Sequence, residues 1–279
     1  MTAREFLTSI SIILAVMAAA ALIETAVPMF VARTSARGRR SANLGLTALS
    51  FLLNWFLASA AATAALTLRS TGVLARLEWP AWVDVVVGIV VLDFSAGYLS
   101  HRTMHAWPAM WRFHRVHHSD DFVDVTTTYR VHPVETVWRF LFAIVPVWLF
   151  GIPAQAVIIQ RLLQATNAVI EHGNIRLWPA LDRILSLIWV TPNVHKIHHS
   201  RDVSETNSNY ANLLTAYDRL LGTYTPSHRA ESVVYGLNDA EPMSQASFPA
   251  LVAIPFQAAD GADARMPERE IRMEVGAGR

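Results

Sequence analysis

Ten of the eleven histidines of this chain lie between His101 and His199. Eight of them fall into three tight groups: H-R-T-M-H (His101, His105), H-R-V-H-H (His114, His117, His118) and H-K-I-H-H (His195, His198, His199). Residues three and four apart on a helix share one face, so each group delivers its rings to one side. Imidazole is the commonest neutral metal ligand and suits iron, zinc, copper and nickel. A transition metal takes about four to six ligands, so eight imidazoles exceed the needs of one ion and predict two ions sharing a site. One H-x-x-x-H alone is a weak signal. Three such groups in one chain are not, and a solvated polar face would use Arg, Glu and Lys instead of histidine.

The rest of the inventory narrows the chemistry. There is no cysteine, which removes disulfides, thiolate nucleophiles, zinc ribbons and iron–sulfur clusters and leaves nitrogen and oxygen as ligands. An all-imidazole centre carries no anion on the metal, so nearby carboxylates are expected to orient the rings and offset charge. Candidates are Asp93, Asp120, Asp121, Asp124, Glu135, Glu171 and Asp218. Asp93 stands eight residues before His101 on the same predicted helix, roughly on its face. Read alone, His132 and His172 are hydrogen-bonded structural histidines. His228 reads as a surface residue.

The elements that must position these groups read as membrane helices. The 279 residues are 53% hydrophobic and 16% charged, and the mean hydropathy is +0.30. A net charge of +1 gives no basis for a nucleic-acid partner. Apolar runs cover residues 6–31, 44–68 and 82–98, each sized for a core that takes about 20 helical residues to cross. The first run is too long for a signal peptide, and its basic residues follow it rather than precede it. The connection after it holds Arg33, Arg37, Arg39 and Arg40, which marks the cytoplasmic side. Residues 74–80, with Trp79, read as interfacial. The third run returns to the arginine side and leads without a break into His101.

Residues 119–131 read as a polar loop near the site. Residues 134–170 are apolar again, interrupted by Gly151-Ile152-Pro153, which predicts a helical hairpin that enters the bilayer and comes back. That topology puts all three histidine groups on one face. Asn193 is the expected N-cap of the helix carrying the last group. Residues 207–224 read as an amphipathic stretch packed on the cap. The expected fold is all-α: an integral membrane helical bundle of about four hydrophobic spans, the last two as a hairpin, with a cytoplasmic helical cap holding a dinuclear metal site. It forms a single domain over residues 1–260, followed by a poorly ordered tail over 261–279.

With these residues in place, the chain resembles the fatty acid hydroxylase and sterol desaturase superfamily. The resemblance rests on the three histidine groups, on R-V-H-P-V-E, E-H-G-N and T-P-N-V-H-K-I-H-H-S, and on N-Y-A-N-L-L-T-A-Y-D-R-L-L-G-T-Y. It runs from about residue 92 to residue 224. It implies a di-iron enzyme that uses O2 to hydroxylate or desaturate an unactivated C–H position of a membrane lipid. The resemblance implies that the eight grouped histidines are iron ligands, and it adds His132 and His172 to them. It assigns a structural role to Asp218 and Arg219, where Tyr217 and Leu221 replace the family's Trp and Phe. No H-P-G-G of a fused cytochrome b5 domain is present, so electrons are expected from a separate ferredoxin, cytochrome or reductase. The expected location is a bacterial inner membrane with the site on the cytoplasmic face.

Two rival functions remain at this stage. A zinc-dependent membrane hydrolase would show a base beside its ligands, as in H-E-x-x-H, which is absent. A metal-ion transporter would hold its ligands near the bilayer midplane on broken helices.

Overall fold

A computed structural model describes residues 3–31, 37–238 and 243–257 of the chain. The expected tail at 261–279 and Arg33 lie outside the described residues. Helix α1 (Ala3–Ala26) and helix α2 (Arg37–Leu68) are long and uninterrupted. Helix α3 (Ala81–Leu92) continues through a π-helical turn (Asp93–Leu99) into α4 (Ser100–Ala106), one rod that carries the chain to the first histidine pair. Pro108 then starts α5 (Pro108–His118), which carries the second group. Helices α6 (Pro133–Phe150) and α7 (Ala154–His172) form the expected hairpin. Short helices complete a cap: α8 (Pro179–Leu185), α9 (Pro192–His198), α10 (Val203–Thr206), α11 (Ala216–Leu220) and α12 (Phe248–Ala253). Strand-type pairing among the described residues is confined to three isolated bridges.

Four segments are long and apolar enough to cross a membrane: Arg4–Ala26, Gly38–Leu68, Ala81–Ala106 and Pro133–Phe150. The chain is an integral membrane protein. The return arm α7 is less apolar for a visible reason. Gln160, Asn167 and Glu171 on it are buried, while Ile158, Ile159, Leu163 and Ile170 face outward. Its polar stripe is turned into the protein at helical spacing.

At the end remote from the histidines, close backbone contact seals the bundle. Gly151 ends α6 in the left-handed region at φ 63°, and its carbonyl accepts from Arg69 at 2.9 Å. Arg69 also pairs with Asp84 at the start of α3. Gly72 presses against the same turn: a Cβ there would stand 2.1 Å from the Gly151 nitrogen.

Ionic and polar ties hold the cap onto the helix ends. Glu24, near the end of α1, accepts from the backbone nitrogens of Val125 and Asn174, each at 2.7 Å. Arg39 in α2 pairs with Asp120 and Asp124. Arg130, wholly buried, donates to Val116 O, Asn43 Oδ1, Ser119 Oγ and Met243 O at 2.7–3.0 Å. One guanidinium thus joins α5, α2 and the C-terminal segment. These ties correct the expectation that Asp120 and Asp124 orient the histidines: they dock the cap on α2. Asp124 also caps the 3-10 turn Val125–Tyr129 within the stretch expected to be an irregular loop. The cap of α9 is Thr191, whose hydroxyl accepts from Val194 N. Asn193 sits one position past Pro192, inside the first turn.

The seal at the far end yields a prediction. Gly72→Ala places a carbon against the backbone of Phe150 and Gly151, so relief requires moving the end of α6 away from the segment after α2. Overpacking of this kind costs about 1–3 kcal/mol. The variant is expected to lower the melting temperature in detergent by several degrees with metal content unchanged, and an unaltered melting curve contradicts it.

Candidate metal centre

The structure brings nine of the ten expected histidines together as two adjacent groups, all buried. His101, His105, His114, His118 and His198 form the first, and His117, His172, His195 and His199 the second. The i,i+3/i+4 spacing splits each H-x-x-H-H group between the two sites. In α5, His114 and His118 go to one and His117 to the other. In the last group His195 and His199 part from His198. Shared helices thereby fix the two groups next to each other, with the His117 and His118 ring centroids 5.5 Å apart.

For four of the rings, hydrogen bonds decide which nitrogen faces inward. His101 Nδ1 lies 2.8 Å from Tyr210 O, and His198 Nδ1 lies 2.7 Å from Ser208 O. A carbonyl only accepts, so both rings carry their proton on Nδ1 and present a bare Nε2. His114 Nδ1 donates in the same way to Glu135 at 2.8 Å. Yet His101 Nε2 stands 3.0 Å from both His114 Nε2 and His198 Nε2. Three lone pairs face one another with no proton among the neutral rings.

The second group repeats the pattern. His172 Nδ1 donates to Ala168 O at 2.7 Å, leaving its Nε2 bare. The Nε2 atoms of His117, His195 and His199 approach that one atom to 3.0, 3.1 and 3.2 Å. One lone pair cannot accept three hydrogens.

A cation resolves both arrangements. Two nitrogens held about 2.0–2.1 Å from one ion lie about 2.9 Å apart at a right angle and about 3.4 Å apart at the tetrahedral angle. The observed 3.0–3.2 Å falls between these. His105 adds a second sign: buried in the first group, it makes no hydrogen bond through either ring nitrogen, a cost that metal ligation removes. The residues present therefore fit two metal ions.

Protonation is not an alternative way out. Burial, reinforced by the neighbouring histidines, holds His117, His118, His195 and His199 well below the usual imidazole range. Burial also takes His198 down to about 3. These five rings are kept neutral, as a ligand must be.

The carboxylates sort by position. Glu135 accepts from His114 and is held in turn by Arg139 at 3.1 Å. Glu171 accepts from Asn167 and Asn212 and stands 3.9 Å from His195 Nε2. Asp218 acts one step away: it takes Tyr210 N and Ala211 N at 2.9 Å and the Thr223 hydroxyl at 2.7 Å, fixing the loop that carries the Tyr210 carbonyl. Asp121 is exposed and reaches neither group. Asp93 is buried but makes no hydrogen bond to a histidine ring, because it stands about two helical turns before His101 along the rod. Gly97 packs over it, where a Cβ would meet Asp93 Oδ1 at 2.9 Å.

The structure does not bring His132 to either group. It caps α6, with Nδ1 accepting from Val134 N at 3.2 Å and Nε2 donating to Val252 O at 3.1 Å. Both nitrogens are taken, so the expected ligand role is not carried by this residue. His228 is exposed.

Sequence reasoning missed the backbone carbonyls of Ser208 and Tyr210. Between them Asn209 adopts φ 52°, a left-handed conformation that asparagine tolerates better than most residues. Its side chain ties down to Val194 O and Thr225 O. The N-Y-A-N stretch is thus a loop that aims two acceptors at two rings, and within residues 207–224 the helix is confined to 216–220.

A cavity opens from His101, His117, His172 and His195 and runs down between α1, α2, α6 and α7, past Ala96, Phe140, Ala143 and Val157. The class is now defined: a helical integral membrane protein whose cap holds two polyhistidine sites at the end of a largely apolar cavity. Residues 85–223, which contain both sites, are a fatty acid hydroxylase family domain. Ornithine lipid hydroxylase OlsE of Rhizobium tropici is 33% identical over 162 residues, covering 57% of this chain and 47% of that protein. Alkylglycerol monooxygenases of Danio rerio and Homo sapiens are each 29% identical, over 57% and 59% of this chain and 32% and 35% of their own length. The chain spans about half or less of these curated relatives. No solved structure gives a significant match.

Three outcomes follow for the purified protein. His105→Ala and His199→Ala each lower bound metal by about one equivalent, whereas His132→Ala leaves it unchanged; loss of metal in the His132 variant contradicts the assignment. Asn209→Ala reduces occupancy of the first group only, seen by metal titration. The third concerns pH. Folded-state values lie below the unfolded 6.5, so the neutral rings contribute stability that is present above 6.5 and lost as pH falls below it. Metal-free protein is expected to melt at progressively lower temperature from pH 7 to pH 5, and a flat profile contradicts this.

Proposed function

We propose that this protein is an O2-dependent di-iron oxidoreductase that oxidises an unactivated C–H position of a membrane lipid. The observation that carries the reading is the pair of all-imidazole groups at the inner end of a cavity lined largely by membrane helices. Iron bound to the nine histidines supplies the activation of O2 that attack on an alkyl C–H bond requires. The chain's own residues do the rest. Glu135, and the carbonyls of Ser208, Tyr210 and Ala168, hold the rings in the ligating tautomer. The cavity walls exclude water and bind an alkyl chain, at about 0.8 kcal/mol for each buried CH2.

Hydroxylation places one oxygen atom into the C–H bond and releases the other as water, with two electrons and two protons supplied. Desaturation removes two hydrogens and reduces both oxygen atoms to water with the same external electrons. The names of the relatives, a lipid hydroxylase and monooxygenases, favour hydroxylation. The electrons come from a separate ferredoxin, cytochrome or reductase. The substrate is a fatty acyl, sterol-like or related lipid. The site faces the cytoplasm of a bacterial inner membrane: the Arg39 and Arg40 end of α2 lies against the cap through Asp120 and Asp124, in agreement with the positive-inside rule.

A zinc hydrolase is disfavoured because nine imidazoles in two sites exceed its needs. A transporter is disfavoured because the ligands sit at helix ends and in the cap. The test is a lipid comparison between cells expressing the wild type and His117→Ala. Wild-type cells are expected to accumulate a lipid one oxygen heavier, with label from O2 gas, and the variant none. Equal product from both overturns the proposal.

A further inference from the structure

The cavity below the histidines is not uniformly apolar. Arg161 lines it on α7, eleven residues before His172, which is about 16 Å along the helix. Its guanidinium Nη2 donates to Asn54 Oδ1 at 2.6 Å, across to α2. Among the described residues no carboxylate lies within ion-pair distance of it. Three other arginines at span ends are ion-paired: Arg39 with Asp120 and Asp124, Arg69 with Asp84, Arg139 with Glu135. Ser50, Gln160 and Gln164 line the cavity around it and bring no charge. An arginine at such depth is destabilising unless its charge is paired, and a neutral amide does not pair it.

We infer that Arg161 is the anchor for an acidic group of the substrate, a carboxylate or a phosphate monoester, bound through the guanidinium with the alkyl chain leading from there toward the histidines. The amides beside it complete the hydrogen bonding of such an anion. A staggered chain of about a dozen carbons covers about 16 Å. The direction of the chain rests on the lipid-oxygenase reading; the anion site does not.

The test uses metal-loaded protein in phosphatidylcholine nanodiscs at pH 8, so that no other lipid competes as an anion. Binding of labelled hexadecanoic acid, hexadecyl phosphate and hexadecanol is compared in the wild type, Arg161→Gln and Arg161→Lys. At least one of the acids is expected to bind tenfold or more tightly than the alcohol, and which one identifies the group. Arg161→Gln abolishes the preference and leaves alcohol binding unchanged, while Arg161→Lys keeps part of it. Equal binding of acids and alcohol by the wild type overturns the inference, and this arm needs no variant to fold. An equal loss of all three ligands in Arg161→Gln also overturns it and assigns the residue to tying α7 to Asn54. Because the readout is binding, it can fail while lipid oxidation stands, and it can succeed where oxidation fails.

Discussion

The structure depends on lone pairs that face each other. His101, His114 and His198 each give their Nδ1 proton to an oxygen and are left with bare Nε2 atoms 3.0 Å apart. Around His172 three more rings close on a single acceptor. Such a set repels itself unless a cation stands at its centre. Holding His101, His114, His172 and His198 in that tautomer takes acceptors from several places at once: a carboxylate on α6, the backbone of α7, and the loop after α10. The geometry is therefore the product of the whole cap rather than of any one motif.

The membrane helices explain why the cap can be so polar inside. They end where it begins, and charged side chains join the two: Glu24 from α1, Arg39 from α2, with Arg130 behind them. Each of these charged groups has partners, and Arg39 and Arg130 are buried, where a charge requires them. The hairpin arm α7 belongs to both worlds. Its outward residues are apolar, and its inward stripe ends in Glu171 and His172 at the histidine groups. The cavity beside that stripe connects the histidine groups to the depth from which an alkyl chain would come.

Much of this was legible in the sequence, and for a physical reason. Helical spacing is a local property, so the histidine groups, the apolar runs and the Gly151 break could be read directly. What was not legible depends on contacts between distant segments. His132 has a ligand's chemistry, yet its two nitrogens are spent on Val134 and Val252, the second 120 residues away. Asp93 shares a rod with His101 but stands about two turns from it, too far to reach the ring. Asp120 and Asp124 are acids beside a histidine group, but Arg39 claims them from α2. The carbonyls of Ser208 and Tyr210 carry no signal in residue type. Asn209 between them was the available clue, since asparagine is common where the backbone turns left-handed.

The central claim is that these histidines form a two-ion, all-imidazole iron centre. Iron-edge X-ray absorption of the purified protein, with iron counted per chain, tests it most directly. The account predicts two irons per chain in a shell of nitrogen and oxygen with imidazole outer-shell scattering. One ion per chain, or zinc in place of iron in protein purified with iron supplied, would contradict it.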